Sequence, residues 1–194
     1  MMRFLAYYYN LAAQEDRKVA VCYKQDALPF GSGIVEMERG GYGETQAFPW
    51  QMDTAIARNS WCYTQDLAYK TSKELLQNLV DVVAKNGNLL LNIGPKADGT
   101  IPEQDQDILT EIGDWLALNG EAIYETRPFK VAAEGPTTVD DANYDVGKIQ
   151  EQLDKGDAVD VHSDTLTAQD FRFTTHGDAL YAIAFGWPED GEFR

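Results

Sequence analysis

The chain has 194 residues and a formal net charge of −16, with 44% hydrophobic and 11% aromatic residues. That apolar content supports a packed core and excludes a disordered chain. The charge disfavours a general phosphate-backbone binder, which needs clustered Lys and Arg, and stays compatible with a neutral substrate such as a sugar.

Residues 2–13 read as a helix with Phe4, Leu5, Tyr8 and Leu11 on one stripe. The segment "KVAVCY" (18–23) is short, β-branched and apolar, as a strand is, and "GIVEM" (33–37) is a second short strand. A long loop containing Gly40, Gly41, Gly43 and Pro49 is expected from Arg39 to Ser60. "TSKELLQNLVDVVAKNG" is a helix. Thr71 and Glu74 have capping-box spacing, Leu75, Leu76, Leu79, Val80 and Val83 form the apolar face, and Asn86-Gly87 ends it. "NLLLNI" (88–93) is a continuous apolar run, the pattern of a strand buried on both faces of a parallel sheet.

After the turn "GPKADG", Thr100 and Glu103 repeat the capping-box spacing, and a helix is expected to about Leu118. "EAIYET" (121–126) reads as one more short strand. The succession of strands and helices points to an α/β fold with parallel strands, and does not separate a barrel from an open sheet. Three units are expected: an α/β unit over 1–130, an acidic linker over 131–167, and the start of a β domain over 168–194. The last contains a hairpin turning at His176-Gly177-Asp178. Two strands alone are marginal in water, so the hairpin either opens a larger domain or packs on the α/β part.

Parallel α/β folds place their chemistry at the carboxyl ends of strands. Lys24 ends the first expected strand, Glu36 and Glu38 follow the second, and Asn92 ends the third. Two carboxyl groups are what glycoside hydrolysis uses, and Glu36 and Glu38 at i and i+2 share a face. Most such sites draw their carboxylates from different strands, and the plain reading of either glutamate is a solvated charge or an ion pair with Arg39. Trp50, Trp61 and Tyr63 suit either a sugar platform or core packing. His162 and His176 sit in polar, turn-like contexts and read as surface residues. Cys22 and Cys62 lack C-x-x-C spacing and read as reduced thiols, with neither a zinc site nor a disulfide framework implied. No G-x-S-x-G or phosphate-loop motif occurs. No apolar run approaches the ~18 residues of a membrane span, and "MMRFLAYYYN" lacks a signal-peptide cleavage site.

"AYYYN", "PWQMDTAIARNSWCY", "NGNLLLNIGPKADGTIP", "NGEAIYETRPF" and "EGPT" together resemble the alpha-L-fucosidases of glycoside hydrolase family 29. The resemblance runs from about Phe4 to Thr137 and resumes near Asp170 to Glu192. It implies a partial (β/α)8-like barrel, the C-terminal half, followed by a β-hairpin from a β-sandwich domain. It implies retaining hydrolysis of terminal alpha-L-fucose from glycans or fucosides, with an Asp nucleophile and a Glu acid/base, and with no cofactor or metal. "ERG" matches Glu38-Arg39-Gly40, making Glu38 the acid/base, with Glu36 as the alternative. Lys24 matches a basic residue near the fucose, and Trp61 an aromatic that packs on the sugar. The family nucleophile precedes the helix containing "AYYYN", so the matching Asp is expected outside this chain. A non-catalytic carbohydrate-binding or interaction remnant is the alternative. The open edges of half a barrel imply a homo-oligomer, and no nucleic-acid or membrane partner is implied. Members are commonly secreted, periplasmic or lysosomal.

Overall fold

The structure, a computed structural model, describes residues 1–24, 27–137 and 166–193. His162 and most of the stretch read as an acidic linker lie outside the described residues. In chain order come α1 (Met2–Gln14), β1 (Cys22–Lys24), β2 (Ile34–Glu38), β3 (Trp50–Ala55), α2 (Ser72–Ala84), β4 (Gly87–Asn92), α3 (Glu103–Asn119), β5 (Arg127–Glu134), β6 (Phe171–His176) and β7 (Ala179–Ala184). β1 to β4 form one parallel sheet in sequence order, and β5 to β7 form an antiparallel sheet. The α/β class with a parallel sheet is as the sequence pattern predicts.

β3 is the main departure. It lies inside the segment expected to be a loop, because Pro49 and the preceding glycines mask a six-residue strand. Strand geometry points Trp50, Met52 and Thr54 one way and Gln51 and Asp53 the other, with all but Gln51 buried. Trp50 and Met52 pack with Val82 of α2, and Met37, Tyr42, Phe48 and Leu89 close around them. The indole of Trp50 donates to the Lys85 carbonyl at 3.0 Å, so this tryptophan is core and not a sugar platform. A Cβ on Gly87 would come within 2.7 Å of the Trp50 ring and 2.6 Å of Val82. The glycine that follows the helix therefore also makes room for the indole. Asn86 takes the left-handed conformation at the helix exit, with φ of 70°.

α2 starts with the predicted capping box, Thr71 and Glu74 bonding reciprocally. The Thr100–Glu103 box does not form. The Thr100 hydroxyl donates to Asp98 at 2.7 Å, and Pro102 stands at the cap of α3. α1 buries only Leu5 and Ala12, and Phe4 and Leu11 of its predicted stripe stay exposed. β4 is not buried on both faces: Asn88 and Leu90 are exposed, since the helices cover only one side of the sheet. Residues 121–126 form no strand. Ile123 and Tyr124 both donate to the Gly120 carbonyl, a local turn that leaves no ladder for a neighbour.

The hairpin is not alone. Gly177 turns it with φ of 58°, and β5, which begins at Arg127 and crosses residue 130, adds a third strand. This sheet packs on α2 and α3 through Val80, Ile123, Leu166 and Phe185, with Trp115 and Leu116 against them. α2 is thus covered on two sides, which explains why Gln77, Asn78 and Asp81 are buried beside its apolar face. Asp81 receives the Arg172 guanidinium of β6 at 2.5 Å and the Lys85 ammonium at 2.8 Å, and all three side chains are buried. Burial presses the Lys85 pKa down, and the Asp81 charge opposes that. Asp81→Ala leaves two cations without their carboxylate. Its urea unfolding is expected to show a loss of ~3–5 kcal/mol, and a change below ~1 kcal/mol would remove this pair as the link between the sheets.

Candidate active site

The register of the parallel sheet sets which side chains meet. Lys24 stands opposite Glu36, and Glu38 opposite Asp53. Because side chains alternate, Lys24, Glu36, Glu38, Gln51 and Asp53 share the face away from α2. The Lys24 ammonium reaches diagonally across β2. It donates to Glu38 Oε2 at 2.6 Å and to Asp53 Oδ2 at 3.0 Å. Partial burial acts to lower the Lys24 pKa, but the hydrogen bonds and charges of Glu38 and Asp53 outweigh it, and the net direction is upward. Glu36 sits one pleat back and accepts from the Gln51 amide at 3.2 Å. Burial, then the charges of Glu36 and Asp53, push the Cys22 thiol up on the same face.

Arg39 turns the chain at the end of β2. Its φ is 50°, and its backbone N–H donates to the Asp53 carbonyl at 2.8 Å. The guanidinium then donates to the carbonyls of Arg58 at 2.9 Å and Ala57 at 3.3 Å and lies 4.6 Å from the centre of the Trp61 ring. The Asn92 amide, at the end of β4, donates to the Trp61 carbonyl at 2.7 Å. Trp61 is therefore held over the carboxyl ends of the strands, half-buried, while Tyr63 is exposed beside Lys96. The base of this loop is tied to α2 by Arg58, which pairs with Glu74. Burial acts to raise the Glu74 pKa, yet the bonds from Thr71 and Arg58 bring it down to about 2.

Three of the residues singled out from sequence, Lys24, Glu38 and Trp61, thus come to one end of the sheet. Glu36 shares the face but stands one pleat back. His176 is exposed at the far hairpin. Asp53 and the anchoring role of Arg39 are not legible in the local sequence, the first because Pro49 and the glycines before it mask β3. The alternation in "WQMDTA" is the signal that locates Asp53 on the polar face.

The family model described as alpha-L-fucosidase matches residues 1–121. The chain belongs to the alpha-L-fucosidase family. It is 34% identical over 145 residues to the tissue alpha-L-fucosidase of Homo sapiens, covering 73% of this chain and 24% of that protein. The tissue enzyme of Mus musculus is 43% identical over 145 residues, covering 73% of this chain and 25% of that protein. The chain thus spans about a quarter of the length of these curated relatives. The crystal structure of Thermotoga maritima alpha-fucosidase in complex with fucose superposes with a TM-score of 0.65 at 26% identity, covering 95% of this chain and 34% of that one. As fucosidase relatives, these proteins are glycoside hydrolases, and this chain carries part of that scaffold.

Two outcomes follow for the loop. Arg39→Ala removes the clamp on Trp61, and acrylamide quenching of the Trp61 fluorescence, isolated by difference from Trp61→Phe, is expected to rise. The Glu74 pKa is depressed on folding, so its contribution to stability is present above its ordinary value and is lost as the pH falls through about 2. Acid unfolding of Glu74→Gln should accordingly show a shallower decline over that window than the parent chain does.

Proposed function

We propose that the chain carries the acid/base side of a retaining alpha-L-fucosidase site, acting on terminal alpha-L-fucose of glycans or simple fucosides. The observation that carries this reading is the convergence of Lys24, Glu38 and Trp61 at the carboxyl ends of a parallel sheet in a chain of this family. Glu38 is the acid/base: it protonates the departing oxygen, then takes a proton from the water that hydrolyses the fucosyl ester. Lys24 is the basic residue beside the sugar, and the Trp61 ring packs on the apolar face of the pyranose. Glu36, occupied with Gln51, is the less suited of the two glutamates.

Residues 1–130 are read as half of a (β/α)8-like barrel, with the polar face of the sheet turned to its interior. β5 together with residues 168–194 is read as the opening of a β-sandwich domain. In this reading the aspartate that forms the fucosyl ester belongs to a strand outside residues 1–194, and residues 1–194 taken alone are expected to bind fucose and turn over little substrate. The open sheet edges of such a half-barrel favour association between copies.

Calorimetry with L-fucose and hydrolysis of an aryl alpha-L-fucoside test this together. Binding is expected, weakened about tenfold or more by Lys24→Met and Trp61→Ala, which corresponds to ~1.4 kcal/mol. Hydrolysis is expected to be near background. Absence of fucose binding overturns the sugar site. Efficient turnover with an adduct trapped on an aspartate of this chain overturns the missing nucleophile.

A further inference from the structure

Resting on Glu38 as the acid/base, we propose that Asp53 is a positioning residue that keeps the Lys24 ammonium in place while Glu38 alternates between carboxylic acid and carboxylate.

Glu38 must be neutral to donate a proton and anionic to accept one. A lysine 2.6 Å from its Oε2 binds the anion well and the neutral acid poorly. With Glu38 as its only anchor, Lys24 would be released each time Glu38 took a proton. A full ammonium charge held on Glu38 would also depress its proton affinity. Asp53 answers both requirements. It stands at the same register as Glu38 on the neighbouring strand, and its Oδ2 takes a second proton of the same ammonium at 3.0 Å. Asp53 is 7% exposed, and its Oδ1 is buried without a hydrogen bond. A carboxylate so placed has little reason for burial except the cation it holds. With both carboxylates ionised, the three groups sum to one negative charge, and a proton taken by Glu38 leaves a neutral Lys24–Asp53 pair behind.

The charged and titratable groups facing Glu38 are Lys24 and Cys22 on β1, Glu36 and Arg39 on and beside its own strand, and Asp53 on β3. Of these, Asp53 shares the ammonium with Glu38, each carboxylate accepting one hydrogen bond from the same nitrogen.

The experiment reads the Lys24 ammonium directly, by proton–nitrogen NMR of the lysine side chains at mildly acidic pH, with the signal assigned by its loss in Lys24→Arg. Glu38→Gln imitates the neutral acid. A protected Lys24 signal is expected in the parent chain and in Glu38→Gln, and its loss to solvent exchange in Glu38→Gln/Asp53→Asn. Release of the ammonium by Glu38→Gln alone, or its retention in the double variant, overturns the proposal. Asp53→Asn alone gives a second readout should the double variant fold poorly. In Asp53→Asn the Lys24 signal is expected to be lost to solvent exchange as acidification adds a proton to Glu38, and its persistence there counts against the proposal. Neither measurement needs a sugar or turnover, so failure of the fucosidase reading, seen in calorimetry and hydrolysis, is separable from failure of this one.

Discussion

The apolar face of β3 against α2 is the constraint from which the site follows. Trp50 and Met52 bury against Val82, and a side-chain period of two then leaves Gln51 and Asp53 no choice of face. A slip of one residue would carry the tryptophan into the open and Asp53 into the helix. Parallel pairing passes the same choice to β2 and β1, so Glu38 and Lys24 arrive beside Asp53. Gly87 belongs to this constraint, because no larger residue leaves room for the indole.

α2 then acts in two directions. One side supports the parallel sheet, and the other receives the antiparallel sheet, with Arg172 and Lys85 meeting on Asp81 between them. Burying such a cluster is costly unless each charge is paired, which makes it a strict device for holding β6 at one place on the helix. Its first turn has a further task. Glu74 closes the capping box and pairs with Arg58, so the same carboxylate that starts the helix also steadies the loop carrying Trp61.

The site pairs its carboxylates with cations at close range. Against a net charge of −16, Lys24 and Arg39 supply the cations at the strand ends, and each is engaged by more than one partner. Lys24 bridges carboxylates, and Arg39 gathers backbone carbonyls and an indole face. Positive charge is used here to order the carboxylates, backbone carbonyls and indole at the strand ends.

The sequence by itself determined the α/β class, the start of α2, the hairpin turn and the family, because each rests on local patterns: a capping box, a glycine with positive φ, an apolar period, an uninterrupted motif such as "NLLLNIGPKADGTIP". It also brought forward Lys24, Glu38 and Trp61, through motifs that resemble a family. Only the tertiary structure decided that residues 50–55 are a strand, that Asp53 completes the group around Lys24, that Trp50 is core, and that 121–126 is a turn. The first three of these depend on partners 14 to 35 residues away, as in the Lys24–Glu38 and Trp50–Lys85 bonds, whereas the turn rests on local bonds to Gly120. Propensity within a short window carries no information about such partners. The pairing register, set by what α2 can bury, carries it all.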